Sequence, residues 1–436
     1  MEIVSTTPTE GTKHAASERR PHGGRRPRRR RPVVTRPGRR AGAAPRAHRA
    51  TAGTARRAHR TTADAARRAH RTTADAARRA CRNAAGARCD RGRGAPGVLA
   101  RIDDDRGTWI GTSGTADLDT REPMPREARF RVASVTKSMV AAIVLQLVQE
   151  GRLSLDEPIG KRLPGQIDGD DQITVRELLN HTGGLATYDR AAEFADPEQY
   201  GKRTYTPRQL IDEAERLPRP ERGRFAYSNT GYILLGLLVE KVTGHELSAE
   251  LDRRIFSPAG MTRSYLPTTW DGIRGPHATG YHLPTGADPG LPGSLRPITR
   301  LNPSFAWAAY GAVSDARDLN RFYRALFGGR LVGRKLLTQM RTGVTTPQAP
   351  IFPRYGLGLE SVGLTCGETW GATGSIPGYQ TFSFADATGE RRMTLSVNVQ
   401  RNDRAVARML LAAVDALNRY FCGEPYRLPG GAAKSR

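Results

Sequence analysis

The sequence predicts an α+β protein: an antiparallel sheet formed by both chain ends, flanked by helices, beside an all-helical region. A disordered basic N-terminal tail precedes it. Three observations point there. Strand-like alternation occurs at 97–117 and returns from 355 to 400. The residues between follow helical spacing. The first 95 residues lack the side chains to build a core. Strands and helices segregated along the chain are what α+β packing requires.

The tail comes first. The chain has 436 residues and a net charge of +26, but residues 1–95 hold 26 Lys and Arg against 6 Asp and Glu. The high pI therefore belongs to the tail. It has no aromatic residue and few large apolar ones, too little to offset chain entropy. An 11-residue repeat runs through it: APRAHRATAGT at 44–54, ARRAHRTTADA at 55–65 and 66–76, ARRACRNAAGA at 77–87. Eleven residues is close to three helical turns. A polyanion-binding segment and a low-complexity extension are both compatible with it. No folded nucleic-acid module and no aromatic interleaving for base stacking are visible, so no specific nucleic-acid partner is expected. A basic start is present, but no apolar run of signal-peptide length follows before residue 95. The expected divisions are 1–95 for the tail, 96–425 for one globular domain and 426–436 for a flexible C-terminus.

The globular elements follow in order. Gly97–Asp104 and Thr108–Asp117 alternate as a hairpin. Next comes 130–151, FRVASVTKSMVAAIVLQLVQEG. It carries no charge from Ser138 to Gln149, and its apolar residues fall on every side, which marks a buried helix. Gln146, Gln149 and the charged flanks argue against a membrane span, which needs about 20 mostly apolar residues. Thr174–Asn180 reads as a short helix with a Thr174/Glu177 capping box. Residues 206–216 read as a helix capped by Thr206 with Pro207 in its first turn. Gly231–Val242 is a second apolar helix, and 245–256 another, ending near Pro258. Residues 262–304 are rich in Pro, Gly and Thr and read as surface excursions. Asp315–Phe327 and 333–341 are helical. Tyr355–Val362, Glu368–Gly371, Gly378–Ala385 and Arg392–Gln400 alternate as strands, and Arg404–Phe421 closes the chain as an amphipathic helix.

Ser134 and Lys137 stand three apart at the head of the buried helix, hence on one face. A lysine there loses water, and desolvation favours its neutral form. A neutral amine one turn from a hydroxyl is a general base beside a nucleophile, and first-turn N–H groups can hold an oxyanion. The bland alternative is that Ser134 caps the helix and Lys137 reaches solvent. The chain has only 7 Lys against 62 Arg, so a lysine here is a specific choice. Two further polar clusters follow in order, Tyr227-Ser-Asn229 and Ala372-Thr-Gly-Ser375, the latter just before a strand. Cys366 and Cys422 are the only cysteines of the globular part. They are either a pair closing a long loop or two free thiols.

The ordered set S-x-x-K, Y-x-N and x-T-G resembles the penicillin-recognising serine hydrolases. These are the β-lactamase-related family of soluble D-alanyl-D-alanine carboxypeptidases, class C β-lactamases and esterases. ELLNHTGGL (177–185), YSNTGYILLG (227–236), GAVSDARDLNR (311–321), YGLGL (355–359) and GSIPGY (374–379) are similar too, so the likeness covers roughly 97–422. It implies a β-lactamase/transpeptidase-like fold and acyl-enzyme hydrolysis of amides or esters. Ser134 would be the nucleophile and Lys137 its base. Tyr227 would pass a proton to the leaving group, which as a base at neutral pH needs adjacent positive charge. Asn229 would hold Lys137 and the substrate amide. Thr373, Gly374 and Ser375 would bind substrate, the N–H groups of Ser134 and Ser375 forming the oxyanion hole. No metal or organic cofactor is implied. The cysteines resemble a disulfide of the carboxypeptidase branch, which suggests a secreted or cell-envelope protein. The expected partner is a small-molecule or peptide substrate, and a monomer is expected.

Two positions depart from the pattern. Ala372 stands where His or Lys opens the third motif, and Glu360 stands where the carboxypeptidase branch has an arginine for the substrate carboxylate. His181-Thr-Gly183 spells the third motif but lies in the wrong order, so His181 reads as structural. Arg341-Thr-Gly343 also spells part of it, with no strand expected after it. The expected activity is D-alanyl-D-alanine carboxypeptidase-like. An esterase that has lost carboxylate recognition and a weakly active penicillin-binding homologue are the alternatives. Removing residues 1–90 should leave turnover and melting temperature nearly unchanged while abolishing salt-sensitive binding to heparin. A large fall in melting temperature would show that the division at 95 is misplaced.

Overall fold

The computed structural model describes residues 95–288, 291, 293–401 and 403–428. The expected tail, its repeats, Cys81 and Cys89 lie outside the described residues, as does the end of the chain from 429. The centre of the fold is an eight-stranded antiparallel sheet. Its strands are β1 (Gly97–Asp104), β2 (Gly107–Gly114), β3 (Val344–Thr345), β4 (Arg354–Tyr355), β5 (Glu360–Leu364), β6 (Gly367–Ile376), β7 (Tyr379–Ala385) and β8 (Arg392–Val397). Their order is β2-β1-β8-β7-β6-β5-β4-β3. Both chain ends thus build one sheet: Val98 pairs with Val397 and Ile102 with Met393. The Asn398 side chain locks this seam, its Oδ1 accepting the Gly97 N–H at 2.6 Å.

Strand alternation divides the sheet between two cores. Val98, Ala100 and Ile102 share one with Leu395, Val397 and the closing helix α6 (Ala405–Phe421). Leu99, Trp370, Ala372 and Ile376 face the other, with α1 (Val135–Gln149) and α5 (Ala316–Phe327). α1 is buried around its circumference. It packs on β6 on one side and on α4 (Asn229–Thr243) and the turn of helix Trp307–Tyr310 on the other. It therefore bridges the sheet and the helical region. That region also contains α2 (Val175–Leu179) and α3 (Pro207–Glu215). Both carry complete capping boxes, from Thr174 with Glu177 and from Thr206 with Gln209.

The expected architecture is present, with local differences. Tyr355–Val362 is not one strand. It breaks at Gly356–Leu359, where Gly358 takes φ +74°. The break docks on α1: Ser138 Oγ donates to Gly358 O at 2.7 Å, and a Cβ at Gly358 would lie 2.4 Å from Ala141 Cβ. Ala372–Ser375 lies inside β6, not ahead of a strand. Arg341-Thr-Gly343 is followed by the two-residue edge strand β3. The helix expected at 245–256 becomes Leu247–Leu251, a π-turn at Asp252–Phe256, and a last turn containing Pro258.

Residues 262–304 form long irregular excursions, as expected, with two-residue strands at Tyr281–His282 and Arg296–Pro297. The buried Arg131 fastens them, donating to the carbonyls of Asp271, Thr299 and Leu301. Cys366 and Cys422 are bridged with 5.5 Å between their Cα atoms, tying the β5–β6 turn to the end of α6. Among the described residues no helix is long and apolar enough to cross a membrane. Changing both cysteines to serine should lower the unfolding free energy by about 4 kcal/mol through loop closure. Urea denaturation checks this; an unmoved midpoint would show that the bridge constrains nothing.

Candidate active site

The site forms where α1, α4 and β6 converge. Ser134 sits at the head of α1, and its side chain caps nothing. Ala133 before it is held at φ +52°, a conformation costly for a residue with a Cβ. Lys137, one turn on, is completely buried. Its Nζ lies 3.1 Å from Ser134 Oγ, 2.7 Å from Asn229 Oδ1 and 2.8 Å from Ala309 O. The capping and snorkelling alternatives for this pair are thereby replaced.

Burial pushes the Lys137 amine down to about 7, with Asp189 and Glu360 opposing the shift. Its neutral form fits these partners. Two N–H groups serve Asn229 and Ala309, which leaves the lone pair of a neutral amine for the serine hydroxyl.

Tyr227 and Asn229 flank the N-cap of α4, where Ser228 Oγ accepts the Gly231 N–H. The Tyr227 hydroxyl donates to Ser134 Oγ at 2.8 Å. The residue is 37% exposed and lines the cleft. Burial of the hydroxyl raises the phenol above its usual range, and Glu360 and Asp189 add to this while the Ser134 contact opposes it. Lys137 Nζ lies 4.8 Å from the ring centroid.

β6 supplies the opposite wall. Beyond Gly371, the last residue paired with β5, its outer edge is free. The Thr373 N–H points off that edge to the Glu360 carboxylate. Residues two apart project the same way, so the Ser375 N–H faces the cleft as well. Gly374 has no room for a side chain: a Cβ would stand 2.3 Å from Val132 O and 3.1 Å from Ser134 N. That close approach brings the N–H groups of Ser134 and Ser375 to one side of the Ser134 hydroxyl.

The predicted Ser134, Lys137, Tyr227, Asn229, Thr373, Gly374 and Ser375 thus gather at one cleft of about 490 Å³. Sequence reasoning missed Asp189, which accepts the Asn229 amide at 2.9 Å and a hydroxyl hydrogen bond from Thr187. Thr187 Oγ1 in turn accepts the Asn229 N–H. It also missed Gln400, whose amide lies 3.4 Å from Ser375 Oγ. Nothing in the order of residues links 187–189 to 229; only folding joins them. Among the described residues no cluster of three or more His, Cys, Asp or Glu is placed to hold a metal.

Ser134→Ala should abolish acylation by a penicillin-type or fluorophosphonate probe without lowering the melting temperature. The wild-type acylation rate should rise with pH through about 7 and level off, because only the unprotonated Lys137 accepts a proton. Lys137→Ala should slow acylation by about 10²–10⁴-fold and erase that limb. Labelling of the Ser134→Ala protein would remove Ser134 from the site.

Comparison with known proteins follows the geometry. A D-stereospecific amidohydrolase from Streptomyces superposes with a TM-score of 0.69 at 32% identity, covering 80% of this chain and 99% of that one. A D-amino acid amidase from Ochrobactrum anthropi SV3 gives 0.68 at 29%, covering 78% and 98%. A D-aminopeptidase of Brucella anthropi is 31% identical over 281 residues, 62% of this chain and 49% of that protein, so the chain spans about half of that relative's length. The Beta-lactamase family model matches residues 84–417. A match over most of the chain, on a fold that brings the three motifs to one cleft, establishes that the protein belongs to the β-lactamase family of serine hydrolases.

Proposed function

We propose that the protein hydrolyses amides of substrates that carry a protonated amine and no free carboxylate, D-amino acid amides being the class. The observation that carries this is the charge of the cleft. Among the described residues its lining includes the carboxylates of Glu360 and Asp189 and no arginine, the one lysine nearby being Lys137, buried beneath it. Ala372 offers no cation, and Arg354 turns away to Glu368 at 2.8 Å. Burial raises Glu360 to about 7, with its Thr373 hydrogen bonds opposing. A cationic ligand would favour the ionised form. The Streptomyces amidohydrolase and the Ochrobactrum D-amino acid amidase support the same substrate class.

In this reading the neutral Lys137 amine takes the Ser134 proton as Oγ attacks the carbonyl carbon. The Ser134 and Ser375 N–H groups receive the oxyanion. Tyr227 gives its proton to the leaving nitrogen and regains one from Lys137. Water then repeats the sequence on the acyl-enzyme. The disulfide supports export to an oxidising compartment, and the protein acts as a monomer. A D-alanyl-D-alanine carboxypeptidase is the second reading, and an esterase the third.

The test is kcat/KM for D-phenylalanine amide, its N-acetyl derivative and a D-alanyl-D-alanine peptide. The free amine should be preferred over the acetylated form by about 10–100-fold, the scale of one charge-assisted hydrogen bond. Glu360→Gln should remove most of that preference and leave turnover of the acetylated amide within a few-fold. Preference for the peptide with its free carboxylate would establish the carboxypeptidase instead.

A further inference from the structure

His181 follows α2, in the His181-Thr-Gly183 stretch that the mechanism above does not use. It is the point from which the Tyr227 loop is held. Its carbonyl accepts the Ala226 N–H at 2.9 Å. Its Nδ1 accepts the Ser228 N–H at 3.2 Å. Those two amides lie immediately before and after Tyr227. The His181 ring also lies against the Tyr227 ring, with centroids 4.3 Å apart and planes 38° apart. One residue thus grips the main chain on both sides of Tyr227 and supports its side chain.

The imidazole is itself boxed in. It is 2% exposed. Tyr355 and Tyr232 lie at 4.6 and 5.4 Å, and Phe225 meets it edge-on at 5.9 Å. Because Nδ1 accepts an amide hydrogen, the neutral ring carries its proton on Nε2. That Nε2 is buried without a hydrogen-bond partner. An N–H lodged among aromatic faces is a weakly favourable arrangement. His181 sits at φ +61°, a left-handed conformation that among residues with a Cβ favours Asn, Asp and His. A purely space-filling residue would need no orphaned polar atom.

We propose that His181 is a positioning residue for Tyr227, holding the phenol hydroxyl on Ser134 Oγ in the geometry for proton delivery to the leaving group. The inference rests on the assignment of Tyr227 as proton donor, and the test separates the two.

Two variants divide the clamp. His181→Asn keeps an acceptor near the Nδ1 position and suits a left-handed backbone, but lacks the ring. His181→Phe keeps a ring and lacks the acceptor. Both are assayed with D-phenylalanine amide, whose leaving group must gain a proton, and D-phenylalanine p-nitrophenyl ester, whose leaving group need not. Tyr227→Phe and the Tyr227→Phe/His181→Asn double variant are run beside them, with melting curves for all. Each His181 variant should lower kcat on the amide by about 10–100-fold, part of what positioned acid catalysis contributes. KM and the ester rate should stay within about threefold. The double variant should be no slower on the amide than Tyr227→Phe alone, because the two residues act as one unit. Equal losses on amide and ester, losses that multiply with Tyr227→Phe, or failure of both His181 variants to fold would overturn the proposal. If Tyr227→Phe shows no amide-selective loss, the role of Tyr227 itself falls, and that of His181 with it.

Discussion

The structure depends on one buried ammonium-forming group. Lys137 is sealed under the cleft, and its three contacts come from three separate stretches: Ser134 on its own helix, Asn229 at the head of α4 and Ala309 in the helix at Trp307–Tyr310. A lysine with no water must be satisfied by protein or lose its charge. Here both happen. The contacts register the sheet-bound helix against the helical region, and the lowered proton affinity suits the same atom to the base role proposed for it. Stability and chemistry are therefore not separable at this position, and the surrounding parts read as supports for it. Asp189 orients Asn229, Asn229 orients the amine, and Gly374 lets β6 close over the hydroxyl next to it.

Much of this was visible in the chain. α1 was legible because burial demands an uncharged, all-round apolar helix, and few other functions for such a stretch exist in a chain this polar. The capping boxes at Thr174 and Thr206 were legible because they are local. What failed were details decided at long range. The break at Gly356–Leu359 exists because Ala141 and Ser138 of α1 occupy the space a straight strand would need. Ala372–Ser375 was placed ahead of its strand because Gly374 weakens the strand signal there; pairing with Gln380–Ser383 overrides it. Asp189 gave no signal at all, since its partner is 40 residues away.

The charge pattern of the cleft is a departure that the sequence did register, as Ala372 and Glu360, but its sense was not. An acid in place of an arginine was expected to repel a carboxylate. In the fold it does more: it binds the Thr373 amide and shapes the free edge of β6. The residue proposed to set charge preference is thus also a prop for the strand that carries the Ser375 N–H. Substitution at 360 acts on both, which is why the acetylated amide is needed as a reference.

The seam between the two ends of the sheet bears on how the protein is made. β8 lies between β1 and β7, so the first strand has no partner on its inner side until the residues between β1 and β8 have been synthesised. Closing that loop of nearly three hundred residues is a non-local event of the kind that folds slowly. Until it happens, β1 and β7 both present unpaired edges, which invite association with other chains. A nascent chain of this topology stays unfinished until β8 has emerged. That suits a polypeptide threaded through a narrow export pore before it folds, and it leaves one made in the cytoplasm dependent on chaperones.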